Sequence, residues 1–223
     1  VAFKAYQEKQ IKLEGSKDDL TILFSDIKSF TFITEALGND IIKLLNTHYE
    51  NTFRPIHENK GIIGSIIGDA LLAVFGTYEK SGNKSLQALV SGFKIQEETK
   101  SLRDDMQAIK ESIINEKGSL TAVEEKVFKA VSLEVGVGID GGEVFYGNIG
   151  SISRMTNTVI GDNVNSSSRL EGLTRIYKVP IICSEYVKNE ILDTTKEFLF
   201  IEIDQVFVKG KTVGKKIFWP INQ

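Results

Sequence analysis

The chain has 223 residues, of which 41% are hydrophobic and 26% are charged, an ordinary composition for a globular protein. Its length suits one large domain, or one domain with an appended element. The net charge of −3 gives no general attraction to nucleic acid, and we expect no such partner. The single cysteine, Cys183, excludes an intrachain disulfide and a cysteine-rich zinc site. The histidines, His48 and His57, are poorly spaced for paired metal ligands, and we expect both at the surface.

The start of the chain predicts a helix that leads into the main domain. Residues 3–14 alternate apolar and charged side chains as an amphipathic helix does. We assign residues 1–18 to this connecting helix and residues 19–223 to the main domain. No apolar run approaches the roughly 18 residues of a membrane-spanning helix. Because the chain starts at Val1, a membrane or sensor domain upstream is compatible with the sequence.

Strand and helix patterns alternate along the main domain. Strands are predicted at 20–27, 62–67, 70–75, 133–140, 143–150, 156–162 and 179–183, and on both sides of the Lys-Gly-Lys turn at 209–211. Helices are predicted within 29–61, 81–131, 163–178 and 184–192. Gly141 and Gly142 predict a hairpin, and the charged stretch 98–125 predicts a solvent-facing helical excursion. The frequent hairpins favour an α+β fold with a mixed sheet over a purely parallel one.

Two aspartates stand where predicted strands end. Asp26 lies near the end of strand 20–27, where a carboxylate is costly unless it is paired or binds a metal. Asp69 lies in the turn between the next two strands. Alone, Asp26 is equally well interpreted as a helix cap and Asp69 as a turn former. Together on adjacent strands, they would form a hard oxygen site suited to Mg²⁺ or Mn²⁺, beside a helix N-terminus that suits phosphate.

Further polar candidates lie in the last third of the chain. Asn165 and Arg169 are four residues apart in a predicted helix and share a face, which suits charge developing on phosphate and sugar oxygens. An exposed helix face is the alternative interpretation. Lys209, Lys211 and Lys215 surround the last turn, where they would either reach a triphosphate or be ordinary surface lysines.

Five segments occur in an order that resembles one known family. They are FSDIKSFT (24–31), IIGDALLAVFG (66–76), GVGIDGGEVFYGNIGS (136–151), TVIGDNVNSSSRLE (158–171) and VKGK (208–211). Over about residues 19–220 they resemble the bacterial-type class III nucleotidyl cyclase catalytic domain, found in adenylyl and guanylyl cyclases. The resemblance implies a ferredoxin-like (βαββαβ) core whose mixed sheet is flanked by helices, with a small C-terminal α/β subdomain.

The resemblance also implies two Mg²⁺ or Mn²⁺ ions in each active site. Asp26 and Asp69 match the metal-binding aspartates, and Ile27 would add its backbone carbonyl as a further ligand. The β- and γ-phosphates of the substrate are expected on the backbone of three residues, Ser29, Phe30 and Thr31.

Other site residues are implied to act from a second copy of the chain. Asn165 and Arg169 match the pair that orients the ribose and stabilises the transition state, and Lys209 matches the triphosphate-binding lysine. The family works as a head-to-tail dimer, in which the aspartates of one chain face these residues of the other. We therefore expect a homodimer with two equivalent sites and an inactive monomer.

Ser65 and Thr158 occupy the two positions that read the base. Adenylyl cyclases of the family usually carry Lys at the position of Ser65, and guanylyl cyclases usually carry Glu. A hydroxyl both donates and accepts hydrogen bonds, so its chemistry suits either purine. Thr158 resembles bacterial adenylyl cyclases and neither guanine-reading residue type is present, which favours ATP over GTP.

The sequence thus predicts a cytoplasmic adenylate cyclase domain that makes 3′,5′-cyclic AMP and pyrophosphate from ATP. Two alternatives stay open: a guanylate or dual-specificity cyclase, and a catalytically silent nucleotide-binding or dimerisation module. The presence of both aspartates, Asn165, Arg169 and Lys209 argues against silence, and only Ser65 favours it.

Overall fold

A computed structural model describes residues 16–78, 82–151, 154–207 and 214–222. The strands in these ranges are β1 (Ser16–Ile27), β2 (Ile62–Ile67), β3 (Ala70–Phe75), β4 (Val135–Ser151), β5 (Arg154–Ile160), β6 (Ile181–Ser184), β7 (Phe198–Val206) and β8 (Lys215–Asn222). The helices are α1 (Phe30–Leu37), α2 (Ile41–Glu58), α3 (Lys84–Lys117), α4 (Ala122–Val131), α5 (Asp162–Tyr177) and α6 (Glu185–Leu192), with a 3-10 turn at Gly38–Asp40.

The strands form one mixed sheet in the order β2-β3-β1-β4-β6-β8-β7, with β5 paired to β4 outside this path. The β4–β6 pair is parallel, whereas β1 is antiparallel to both β3 and β4. The unit β1-α1/α2-β2-β3-α3/α4-β4, with the spatial order 2-3-1-4, is the predicted ferredoxin-like core. The α+β prediction is confirmed.

β1 is buried on both faces, as its near-continuous apolar sequence predicts. Leu23 and Ile27 belong to the main core, which includes residues of α2 and α3, whereas Leu20 and Ile22 pack with Val144 and other residues on the opposite face. Because side chains alternate along a strand, the even-numbered residues from Leu20 onward share one face. Asp26 therefore points to the same side of the sheet as Leu20 and Ile22.

The hairpin predicted at Gly141-Gly142 is wrong. β4 is one strand of 17 residues that runs through both glycines, and it pairs with β1 from Val135 to Tyr146. Close packing explains the glycines, since a Cβ at Gly141 would come within 2.5 Å of the Tyr186 ring. Gly142 has a φ of +132°, a conformation that side chains rarely adopt. Paired glycines in this strand make room for neighbours instead of forming a turn.

The charged stretch 98–125 is helical, as predicted. α3 has 34 residues, and its buried positions end at Thr99, so its second half extends away from the core. α4 returns beside α1 and starts at a capping box formed by Thr121 and Glu124. None of the helices in the described ranges has the length and apolar character needed to cross a bilayer.

The N-terminal boundary differs from the prediction. β1 starts at Ser16, so residues 16–18 belong to the sheet and not to a connecting helix. The helix predicted at 3–14 lies outside the described residues, as does the turn that carries Lys209.

Candidate active site

Asp26 lies at the end of β1, directly opposite Gly136 in the register with β4. Its Oδ2 accepts a hydrogen bond of 2.7 Å from Nη2 of Arg175, near the end of α5. Arg175 also bonds the buried Glu171 one turn earlier, at 2.9 Å and 3.1 Å. A Cβ at position 136 would overlap the Glu171 carboxylate, so Gly136 leaves room for this ion pair. The contacts from Glu171 to Arg175 and from Arg175 to Asp26 therefore hold Asp26, the first predicted metal ligand, against α5.

Asp69 lies in the two-residue β2–β3 turn, where Gly68 adopts a φ of +65°. The hydroxyl of Tyr49 on α2 donates to the Gly68 carbonyl, which fastens the turn to that helix. The backbone N–H of Ile27 donates to Asp69 Oδ2 at 3.3 Å. These bonds bring Asp69 to the end of β1, beside Asp26, as the sequence predicted.

The two carboxyl groups are close enough to perturb each other. Partial burial, a hydrogen bond to Asp26 and the charge of Asp26 raise the pKa of Asp69 to about 7. Two adjacent carboxylates with this mutual repulsion suit an oxygen-preferring divalent cation, so the donor set fits Mg²⁺ or Mn²⁺. In the described ranges, no cluster of three or more His, Cys, Asp or Glu side chains is placed to hold a metal.

The predicted phosphate-binding backbone lies where β1 passes into α1. Ser29, the residue before α1, is left-handed with φ 60° and ψ 31°, and its side chain makes no capping hydrogen bond. The first N–H groups of any helix have no intrahelical acceptor, and here they belong to Phe30, Thr31 and Phe32. They lie four to six residues after Asp26 and are available to phosphate oxygens.

The other predicted catalytic pair lies on α5 and is exposed. Asn165 and Arg169 are both on the solvent side of the helix, and neither has a bonding partner among the described residues. The buried side of α5 packs directly on β4, since a Cβ at Gly138 would overlap the backbone of Ser167 and Glu171. The fold thus holds α5 firmly while leaving Asn165 and Arg169 free to bind something outside their own chain.

The predicted base-reading residues lie on neighbouring strands. Ser65 follows an irregularity in β2 and pairs with Leu72, and Thr158 on β5 pairs with Gly147 of β4. β2 and β5 contact each other, and both side chains are partly exposed. One chain therefore brings both hydroxyls to the same part of its surface.

Lys215, one of the three candidate triphosphate lysines, is already engaged. Its ammonium bonds the fully buried carboxylate of Asp140 and lies 3.2 Å from the Ser166 hydroxyl. This ion pair joins β8 to β4 and α5. Lys209 and Lys211 lie outside the described residues.

Sequence reasoning missed four residues around the aspartates. Tyr49, Glu171 and Arg175 were not singled out, and the prediction of a surface position for His48 is wrong. His48 is 3% exposed, and burial lowers its pKa to about 4, against the opposing charge of Asp26. Helical spacing indicated its burial, since His48, Thr52 and Ile56 fall on one face of α2. The four-residue spacing of Glu171 and Arg175 indicated an ion pair between them, but not the contact of Arg175 with Asp26.

Comparisons with known proteins agree with this architecture. The family model of the adenylate and guanylate cyclase catalytic domain matches residues 13–223. The chain is 33% identical over 204 residues to the terminal-differentiation specific adenylate cyclase of Dictyostelium discoideum, covering 91% of this chain and 9% of that protein. It is 34% identical over 201 residues to an adenylate cyclase of Anabaena cylindrica, covering 89% of this chain and 36% of that protein.

A solved structure of a cyclase has the same fold. The adenylyl cyclase CyaB from P. aeruginosa superposes with a TM-score of 0.76 at 26% identity, over 95% of this chain and 97% of that chain. The chain spans much less than half the length of the two curated relatives, so it corresponds to one part of each. The chain belongs to the adenylate and guanylate cyclase catalytic-domain family.

Proposed function

We propose that the chain is an adenylate cyclase catalytic domain, which converts ATP to 3′,5′-cyclic AMP and pyrophosphate. The observation that carries the proposal is the meeting of Asp26 and Asp69 beside the free N–H groups of α1. Paired carboxylates next to a phosphate-binding helix end suit a metal–triphosphate complex. The exposed pair on α5 supplies the further donors that such a reaction needs.

Asp26, Asp69 and the Ile27 carbonyl would hold two Mg²⁺ or Mn²⁺ ions in each site. When bound, the ions supply activation of the ribose 3′-hydroxyl and neutralisation of the phosphate charge. Ser29, Phe30 and Thr31 would bind the β- and γ-phosphates through their backbone N–H groups.

In the reaction, the 3′-oxygen forms a bond to the α-phosphorus and the bond from that phosphorus to the β-phosphate oxygen breaks. Asn165 orients the ribose, and Arg169 neutralises the charge that grows on the α-phosphate. Lys209 holds the pyrophosphate that leaves. The 3′-hydroxyl proton passes to solvent or substrate, because His48 is buried and its lowered pKa makes it a weak base.

We also propose a head-to-tail homodimer, and the positions of these groups support it. Asn165 and Arg169 are exposed and unpartnered in the described part of their own chain. Large apolar side chains are exposed on β2, β4 and β5: Ile66 at 49%, Ile67 at 64%, Phe145 at 55% and Ile160 at 53%. Ile67 directly precedes the turn of Asp69, so a second copy seated there would cover this apolar surface and bring its α5 to the carboxylates.

ATP is the favoured substrate because both curated relatives described above are adenylate cyclases and because Thr158 matches bacterial members. The family includes guanylate cyclases, and the hydroxyls of Ser65 and Thr158 suit guanine as well as adenine. GTP is therefore the second candidate substrate. Two hydroxyls also discriminate weakly between the purines.

The test is incubation of the protein with Mn²⁺ and either ATP or GTP, followed by chromatography for the cyclic nucleotide. We expect cyclic AMP, more from ATP than cyclic GMP from GTP, and none from the Asp26→Ala variant. Product from GTP alone would replace the adenylate assignment. No product from either nucleotide would favour a silent binding module, and normal turnover by Asp26→Ala would refute the metal-ligand assignment.

A further inference from the structure

A large cleft opens near the carboxylates, lined by Arg175 and by Ser29. It has a volume of about 1160 Å³ and lies between α1, the projecting half of α3, the helix α4 and the end of α5. Phe32, Met106 and Phe128 contribute apolar walls. The charged stretch 98–125, for which the sequence suggested no role, contributes Arg103, Met106, Gln107, Lys110 and Glu125 to its lining.

The cleft is strongly cationic although the chain as a whole carries a net charge of −3. Its described lining has two carboxylates, Glu125 and Glu134, and six cationic side chains: Lys28, Arg103, Lys110, Lys129, Arg175 and Lys178. Only Lys28 and Arg175 have a carboxylate partner among the described residues. Concave cationic surfaces with apolar walls concentrate anions, because the walls reduce dielectric screening.

Two residues connect the cleft to the predicted reaction centre. Arg175 lines the cleft and bonds Asp26 at 2.7 Å. Ser29 lines it as well and starts the backbone segment predicted to bind the β- and γ-phosphates. The cleft therefore begins where the leaving group of the proposed reaction would be released.

We propose that this cleft binds pyrophosphate after bond cleavage and forms its route from the reaction centre to solvent. The inference rests on the proposed function for the origin of the anion, but binding itself needs no turnover. Pyrophosphate fits the chemistry because it is a compact polyanion with no base or sugar to recognise. Lys110 and Lys129, at the end of the cleft formed by α3 and α4, attract it outward from Arg175 and Ser29.

The matched variants are two double lysine substitutions on the same two helices. Lys110→Ala with Lys129→Ala removes two charges from the cleft, whereas Lys100→Ala with Lys126→Ala removes two exposed charges outside it. All four positions are helical, where alanine is favourable, so both proteins should fold. Pyrophosphate affinity is measured by calorimetry, and product inhibition and KM are measured in the cyclase assay.

We expect the cleft variant to bind pyrophosphate at least about fivefold more weakly, with the inhibition constant rising equally and KM changing less than about twofold. The control variant should match the wild type. Equal pyrophosphate affinity in both variants would overturn the proposal, even in an active enzyme. An equal loss of affinity for a non-cyclisable ATP analogue would also overturn it, because the cleft would then belong to the substrate site. Cleft-dependent pyrophosphate binding in a protein without cyclase activity would support the binding site and refute the proposed function separately.

Discussion

The carboxylate end of the site and the α5 face differ in how their polar groups are satisfied. Asp26 and Asp69 are fixed within one chain, by Arg175 and by the Ile27 N–H. Asn165 and Arg169, by contrast, are exposed and have no partner among the described residues. One half of the proposed site is completed by folding, whereas the other half leaves its donors exposed, where the proposed dimer would present them to a second copy.

The largest expected effect comes from placing a defect in each half of the site on a different chain. Asp26→Ala and Arg169→Ala should each lower cyclase activity at least about 100-fold, because one removes a proposed metal ligand and the other a proposed transition-state donor. Mixing the two inactive proteins should restore about a quarter of wild-type activity, since half of the random dimers would hold one intact site.

The matched control is a mixture of Asp26→Ala with Asp69→Ala. Both changes damage the same half, so no dimer would have an intact site and activity should stay absent. Failure of the first mixture to recover, with dimers present by light scattering, would contradict the shared site.

The second prediction concerns the packing of α5 against β4. Gly138→Ala would place a Cβ into the backbone of Ser167 and Glu171, and neither can move without displacing the helix. We expect a loss of about 2–3 kcal/mol in the free energy of unfolding, measured by urea titration. Gly172→Ala is the control on α5 itself, because its added Cβ would meet nothing within 4 Å beyond the backbone of its own helix and its chain neighbours. A neutral Gly138→Ala would show that α5 is not held as tightly as the packing indicates.

The third prediction uses pH to examine the packing behind Asp26. Burial lowers the pKa of His48 to about 4, below its unfolded value of 6.5, so the unfolded state binds more protons between these pH values. His48 therefore costs stability as the pH falls through this window, by up to about 3 kcal/mol. Relative to wild type, His48→Leu should become more stable from pH 7 to pH 4 in thermal unfolding. Parallel pH profiles would show that His48 is not buried in its neutral form.

The smallest expected effect is at the turn of Asp69. Tyr49→Phe removes only the hydroxyl that bonds the Gly68 carbonyl and keeps the ring that stacks on Phe53. We expect a stability loss of about 1 kcal/mol and a rise in the Mn²⁺ dissociation constant of a few fold, since Asp69 becomes less fixed. Phe53→Leu is the comparison, because it alters the stacking and leaves the hydrogen bond. An unchanged Mn²⁺ affinity in Tyr49→Phe would show that β2 and β3 hold the turn without help.

The sequence predicted those elements in which local pattern and tertiary role agree. Strands β2 and β3 match their apolar runs, and the position of Asp69 followed from them. Prediction failed where a residue's role comes from a distant neighbour. Gly141 makes room for Tyr186, 45 positions later, and such a contact leaves no local signal. Arg175 and Asp26 likewise meet only after α5 packs on β4.

The continuity of β4 has a consequence for insertional tolerance. The same strand places Gly136 opposite Asp26 and Gly147 opposite Thr158, so its residue count sets the spacing between the predicted metal ligand and the predicted base-reading residue. One extra residue between these glycines would turn all later side chains to the other face of the sheet. The α3–α4 connection at 118–120, which belongs to no strand, offers a permissive place for a reporter peptide instead.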